Sequence, residues 1–144
     1  MLWLFFKRNL LLIVVLSIAL LFRFYNLYNF QFWTSDEETA AIAVRKMLVE
    51  HRPLLIIPNS TLGTSLGPYF HYLSIPLYFV TNMNPAFVLG FMGFIGVLTT
   101  YIIFRIGKLA KNESLGLLAA FFYASSFVMG LIDRRWWPLS LNPL

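Results

Sequence analysis

The residues with the most chemical capacity in this chain lie between Trp33 and Glu38, where Trp-Thr-Ser-Asp-Glu-Glu supplies three of the six carboxylates in the sequence. A carboxylate can take the proton of an attacking hydroxyl, and its usefulness depends on the element that presents it. Ser35 followed three residues later by Glu38 reads as a capping box, so a helix is predicted over 36–50. At about 100 degrees per residue, Asp36, Ala40, Ala43 and Met47 share one stripe and Glu37, Ala41, Val44 and Leu48 the next, so both acids cap the apolar face. Glu38, Arg45 and Lys46 take the opposite side, which Ile42 and Val49 interrupt. Two explanations stay open: an acid aimed along a buried face at a membrane surface is costly unless used, and three acids in a first turn also simply favour the positive end of the helix dipole.

Three other groups have chemistry to offer. Arg134 and Arg135 could bind phosphate bidentately; the competing explanation is that Asp133 pairs with one of them while the other meets lipid headgroups. His71 stands among tyrosines with no acidic or histidine partner at ligand spacing, which suits an interfacial hydrogen-bonder better than a metal ligand. The chain has no cysteine, so thiolate chemistry, disulfides and Cys-based zinc sites are excluded. No cofactor is evident, and nothing supports a divalent metal. Trp33, Tyr69, Tyr72, Trp136 and Trp137 could stack on a sugar, although aromatic residues also mark membrane interfaces.

The elements that must position these groups are hydrophobic. Of 144 residues 59% are hydrophobic and 12% charged, against roughly 25% charged in an average soluble domain. A membrane protein is expected. The net charge of +5 is scattered at the ends of apolar runs rather than gathered on one face, which argues against nucleic acid. Lys7-Arg8 precede a run that reads as a retained signal anchor over 9–28, since the bulky residues after Phe22 offer no small-x-small cleavage site. Arg23 within it is expected to snorkel, and Tyr25, Tyr28, Phe30, Phe32 and Trp33 to form an interfacial belt. Further spans are predicted over 85–105 and 114–132. Pro58 to Gly67 has loop composition, and Asn59-Ser60-Thr61 matches a glycosylation sequon that carries little weight. Tyr69 to Val80, with His71 and Pro76, is too short for the roughly 20 residues of a span. If it stays on the outer side, Arg105, Lys108 and Lys111 fall inside, in keeping with the positive-inside rule. The reading is an all-α membrane protein: three transmembrane helices, an outer loop over 29–84 with helix 36–50 and interfacial segment 69–80, and a cytoplasmic N-terminus. Among alternatives, an ion-coupled transporter is disfavoured because the interiors of the proposed spans carry no ionisable group, Arg23 and Arg105 lying toward span ends. A non-catalytic scaffold, in which the acidic helix is an interfacial anchor, is the other alternative.

The order of these features resembles the N-terminal part of the GT-C type membrane glycosyltransferases, specifically the protein O-mannosyltransferase and lipid A aminoarabinose transferase group. The resemblance runs through Trp33-x-x-Asp36-Glu37, Gly67-Pro68-Tyr69-Phe70-His71-Tyr72-Leu73, Arg105-Ile106-Gly107-Lys108-Leu109 and Arg134-Arg135-Trp136-Trp137-Pro138. The last departs from the family's Arg-x-x-Trp-Asn-Pro, with Trp137 where the polar residue stands. The resemblance implies that residues 1–144 are the N-terminal part of one larger polytopic domain in the plasma membrane, inactive alone. It implies transfer of a sugar from a polyprenyl phosphate donor to the hydroxyl of a lipid, protein or glycan acceptor at the outer face, with inversion. Asp36 maps onto the family's catalytic aspartate, a general base, and Glu37, His71, Arg134 and Arg135 are expected to contact substrate. A flippase or polymerase of the same lipid-linked sugars would not need the Asp36 base.

Overall fold

The computed structural model describes residues 9–27, 29, 34–55 and 68–136, and every regular element among them is helical. The chain divides into two compact units, residues 1–32 with 89–135 and residues 33–88 with 136–144. The Lys7-Arg8 pair, most of the aromatic belt, the Pro58 to Gly67 loop and Trp137-Pro138 lie outside the described residues.

The first unit is built from α1 (Leu10–Phe24), the greater part of α4 (Pro85–Ala110), α5 (Glu113–Ser125) and α6 (Phe127–Ile132). Its core joins Val15 and Ala19 of α1, Phe104 of α4, and Ala120 and Ala124 of α5, with Leu12, Ile18, Val97, Tyr101 and Leu117 packed around them. Small side chains let the helices come close. A Cβ on Gly107 would lie 2.7 Å from the Gly116 Cα, and one on Gly116 would collide with the Phe104 carbonyl oxygen.

Two predicted spans come out differently. The first is shorter than 9–28, because Tyr25 leaves the helical region (φ −56°, ψ 119°) and Asn26 turns left-handed at φ 48°. The segment over 114–132 is not one helix. Ser126 is extended (φ −69°, ψ 116°) and its hydroxyl accepts from Met129 N, starting α6 afresh. The Ser125 hydroxyl bonds back to Phe121 O at 2.7 Å, so the Ser-Ser pair offers the backbone partners other than its own helix. Among the described helices α4, with 26 residues, is long and apolar enough to cross a membrane; α1 and α5 are apolar but have 15 and 13 residues.

The second unit packs α2 (Ser35–Glu50) against α3 (Tyr69–Val80). The capping box sits one residue earlier than expected: Thr34 is the cap and Glu37 the reciprocating acid. Thr34-x-x-Glu37 and Ser35-x-x-Glu38 both satisfy the pattern. Packing selects between them, because Glu37 lies on the same face as Ala40, Val44 and Met47, all buried. Helix α2 ends at His51, which is left-handed at φ 51°.

Candidate functional site

Asp36, the second residue of α2, is exposed, and among the described residues no hydrogen bond or ion pair holds its carboxylate. Its neighbour is the opposite case. Glu37 is fully buried, and its Oε2 accepts from Thr34 N at 2.9 Å and from the Thr34 hydroxyl. The sequence put both acids on the apolar face; the structure puts only Glu37 there. The Glu37 carboxylate folds back onto Thr34 and is buried, while the Asp36 carboxylate one position earlier is exposed. The pair is thereby divided into a structural acid and an available one.

Helix α3 turns a mixed face inward. Phe70, His71, Ser74 and Tyr78 are buried, at the i, i+4 and i, i+3 spacings that share one side of a helix. The Ser74 hydroxyl donates to Phe70 O at 2.7 Å and accepts the Trp136 indole N–H at 3.1 Å. The Trp136 ring lies 5.0 Å from Phe70 and edge-on to Tyr78 at 6.4 Å. His71, expected at the interface, is instead 6% exposed and set edge-on to Phe70. Its Nδ1 and the Tyr78 hydroxyl find no hydrogen-bond partner among the described residues. Burial lowers the His71 pKa below its usual 6.5 and so favours the neutral imidazole. Burial first, then the Glu37 charge, pushes the Tyr78 phenol well above its ordinary value. Ser74 and Tyr78 were not singled out from the sequence, though the His71, Ser74, Tyr78 spacing was a legible signal.

The first unit holds the two arginines, and it uses Arg134 structurally. The Arg134 Nε donates to Arg23 O at 3.0 Å, and Nη2 donates to the carbonyls of Phe22 and Tyr25. One guanidinium thus serves the orphan carbonyls at the carboxyl end of α1. It is 7% exposed, so the substrate contact expected of it gives way to helix capping. The carboxylate of Asp133 meets α1 and α5: its Oδ2 accepts from Arg23 Nε at 2.7 Å, and the Tyr123 hydroxyl donates to it at 3.0 Å. Arg23 is fully buried and lies 5.0 Å over the Tyr123 ring. It does not snorkel, because Asp133 supplies a counter-charge and Gly96 supplies room; a Cβ there would come within 2.5 Å of Arg23 Nε. Arg135 is half-buried, with its backbone N–H on Ile132 O at 3.0 Å.

Asp36, Glu37 and His71 therefore belong to one unit and Arg134 and Arg135 to the other. Among the described residues no group of three His, Asp or Glu side chains is placed to hold a metal. The chemistry that the second unit offers is proton acceptance at a solvated carboxylate, and Glu38 and Glu50 are exposed there as well as Asp36. Compared with known proteins, the chain matches no family model, and no curated protein or solved structure is significantly similar to it.

Proposed function

We propose that this chain belongs to a GT-C type membrane glycosyltransferase, in which Asp36 is the general base that activates an acceptor hydroxyl for attack on a polyprenyl phosphate-linked sugar. The observation that carries the reading is the split between Asp36 and Glu37. A base must reach substrate, and Asp36 is exposed and uncommitted while Glu37 is spent on the cap. In an inverting transfer the hydroxyl proton passes to the Asp36 carboxylate as the sugar–phosphate bond breaks and the new glycosidic bond forms; the phosphate leaves as an anion that needs cations rather than an acid.

The reading places α1, α4 and the α5–α6 pair in the plasma membrane as three passes with the N-terminus cytoplasmic. Support comes from the length and apolarity of α4 and from Arg105, Lys108 and Lys111 clustering at its carboxyl end, as the positive-inside rule requires. It also leaves α2 and α3 on the outer face.

A second reading has its own observation. Ile42 and Val49 on the outer side of α2 are 48% and 69% exposed, which suits an interfacial anchor in a non-catalytic scaffold. Transfer from a polyprenyl phosphate sugar, measured on the full-length protein in membranes, separates the two. The transferase reading expects Asp36→Asn to lower turnover roughly 100-fold or more, the scale of general base catalysis. Turnover unchanged per folded molecule would leave the anchor reading standing.

A further inference from the structure

We infer that the groove between the amino-terminal half of α1 and the carboxyl-terminal half of α4 binds an anionic phospholipid, with an acyl chain on its apolar wall and the phosphate on Arg105 and Lys108. The inference stands independently of Asp36 and of the transferase reading. The groove lies wholly within the first unit and encloses about 550 Å³. Leu12, Ile13 and Leu16 of α1 and Phe104 of α4 give it an aliphatic and aromatic wall, and Arg105 and Lys108 supply its charge.

The partners of those two cations decide what fits. The Arg105 guanidinium donates to the Tyr101 hydroxyl at 3.1 Å and lies over that ring at 5.9 Å. Both contacts are with a neutral side chain, and among the described residues no carboxylate pairs with Arg105. Lys108 meets Glu113 at 2.6 Å and stands 5.6 Å from the Phe104 ring. The lining therefore carries one uncompensated positive charge beside an apolar wall. A neutral lipid would leave that charge unused, and a soluble anion would leave the wall exposed to water; an amphiphile with one net negative charge satisfies both. The sequence adds Lys111 just beyond α4, and Lys7-Arg8 just before the groove residue Asn9. A basic pocket between helices is the arrangement that anionic headgroups favour.

Native mass spectrometry of the detergent-purified protein, titrated with dioleoyl phosphatidylglycerol or dioleoyl phosphatidylcholine, tests this. The glycerol lipid should bind about fivefold more tightly, the effect of one cation near a headgroup. Arg105→Gln should bring the two lipids to near parity, and Leu16→Trp, which fills the groove, should weaken both. Glu113→Gln should strengthen phosphatidylglycerol binding by releasing Lys108, whereas Lys46→Gln, in the other unit, should change nothing. A preference that survives Arg105→Gln in folded protein overturns the proposal, as does full displacement of the lipid by millimolar inorganic phosphate, which would make the wall irrelevant. Should the variants misfold, phosphatidylglycerol with a diazirine in its chain, photolysed on the wild-type protein, decides the matter: crosslinks within residues 10–16 or 101–109 support the site, and crosslinks confined elsewhere overturn it.

Discussion

Asp36 and Glu37 are adjacent acids in opposite surroundings, so single substitutions should separate their roles. Asp36→Asn changes an exposed side chain and should cost at most about 1 kcal/mol of stability, chiefly through the helix dipole. Glu37→Gln keeps an acceptor for Thr34 N but removes the charge that strengthens that bond, so it should cost about 1 kcal/mol or more while leaving turnover per folded molecule nearly unchanged. Denaturant unfolding followed by helical circular dichroism, paired with the transfer assay, reads both quantities. His71 should make stability depend on pH. Its pKa is lowered in the folded protein, so the unfolded chain binds the proton more readily; stability is full above about pH 6.5, the unfolded value, and falls as the pH drops below it. His71→Gln should flatten this part of the profile between pH 7.5 and 5, and an unaltered slope would show that another group titrates.

Helix ends show how a residue that looks functional can be consumed by an element. The carboxyl end of α1 stops at Phe24 with carbonyls pointing past its last turn, and Arg134 reaches three of them, at Phe22, Arg23 and Tyr25. A lysine carries its donors on one atom and cannot reproduce this fork. Arg134→Lys should therefore destabilise the first unit by about 1–3 kcal/mol, the range for buried acceptors left unsatisfied, as measured by unfolding. A change below about 0.5 kcal/mol, the ordinary range of surface substitutions, would contradict the capping role. The same logic accounts for the break at Ser126: the apolar composition over 114–132 satisfies a span, but two serine hydroxyls with nearby backbone partners stop one helix and cap the next.

At the scale of the whole molecule the membrane reading fixes a side for the α3–α4 turn. Asn82 is exposed and sits between the two helices, so Asn82→Cys in intact cells should react with an impermeant maleimide from outside; reaction only after permeabilisation would reverse the topology. Much of the helical layout was legible beforehand, because it rests on local rules: apolar runs set where helices form, Gly, Pro and Asn set where they stop, and a Thr/Ser-x-x-Glu box sets where α2 begins. The all-helical character and the long apolar α4 follow from composition and periodicity alone. What the sequence could not assign was the partner of each charge. Arg23 and Asp133 are 110 positions apart, and nothing local says that they meet or that Arg134 turns back to α1. Nor could spacing choose between two overlapping capping boxes, a choice that determines which of two neighbouring acids is buried. Those outcomes depend on which faces pack, because the cost of burying a charge or a carbonyl is relieved only by a partner that tertiary structure brings to it.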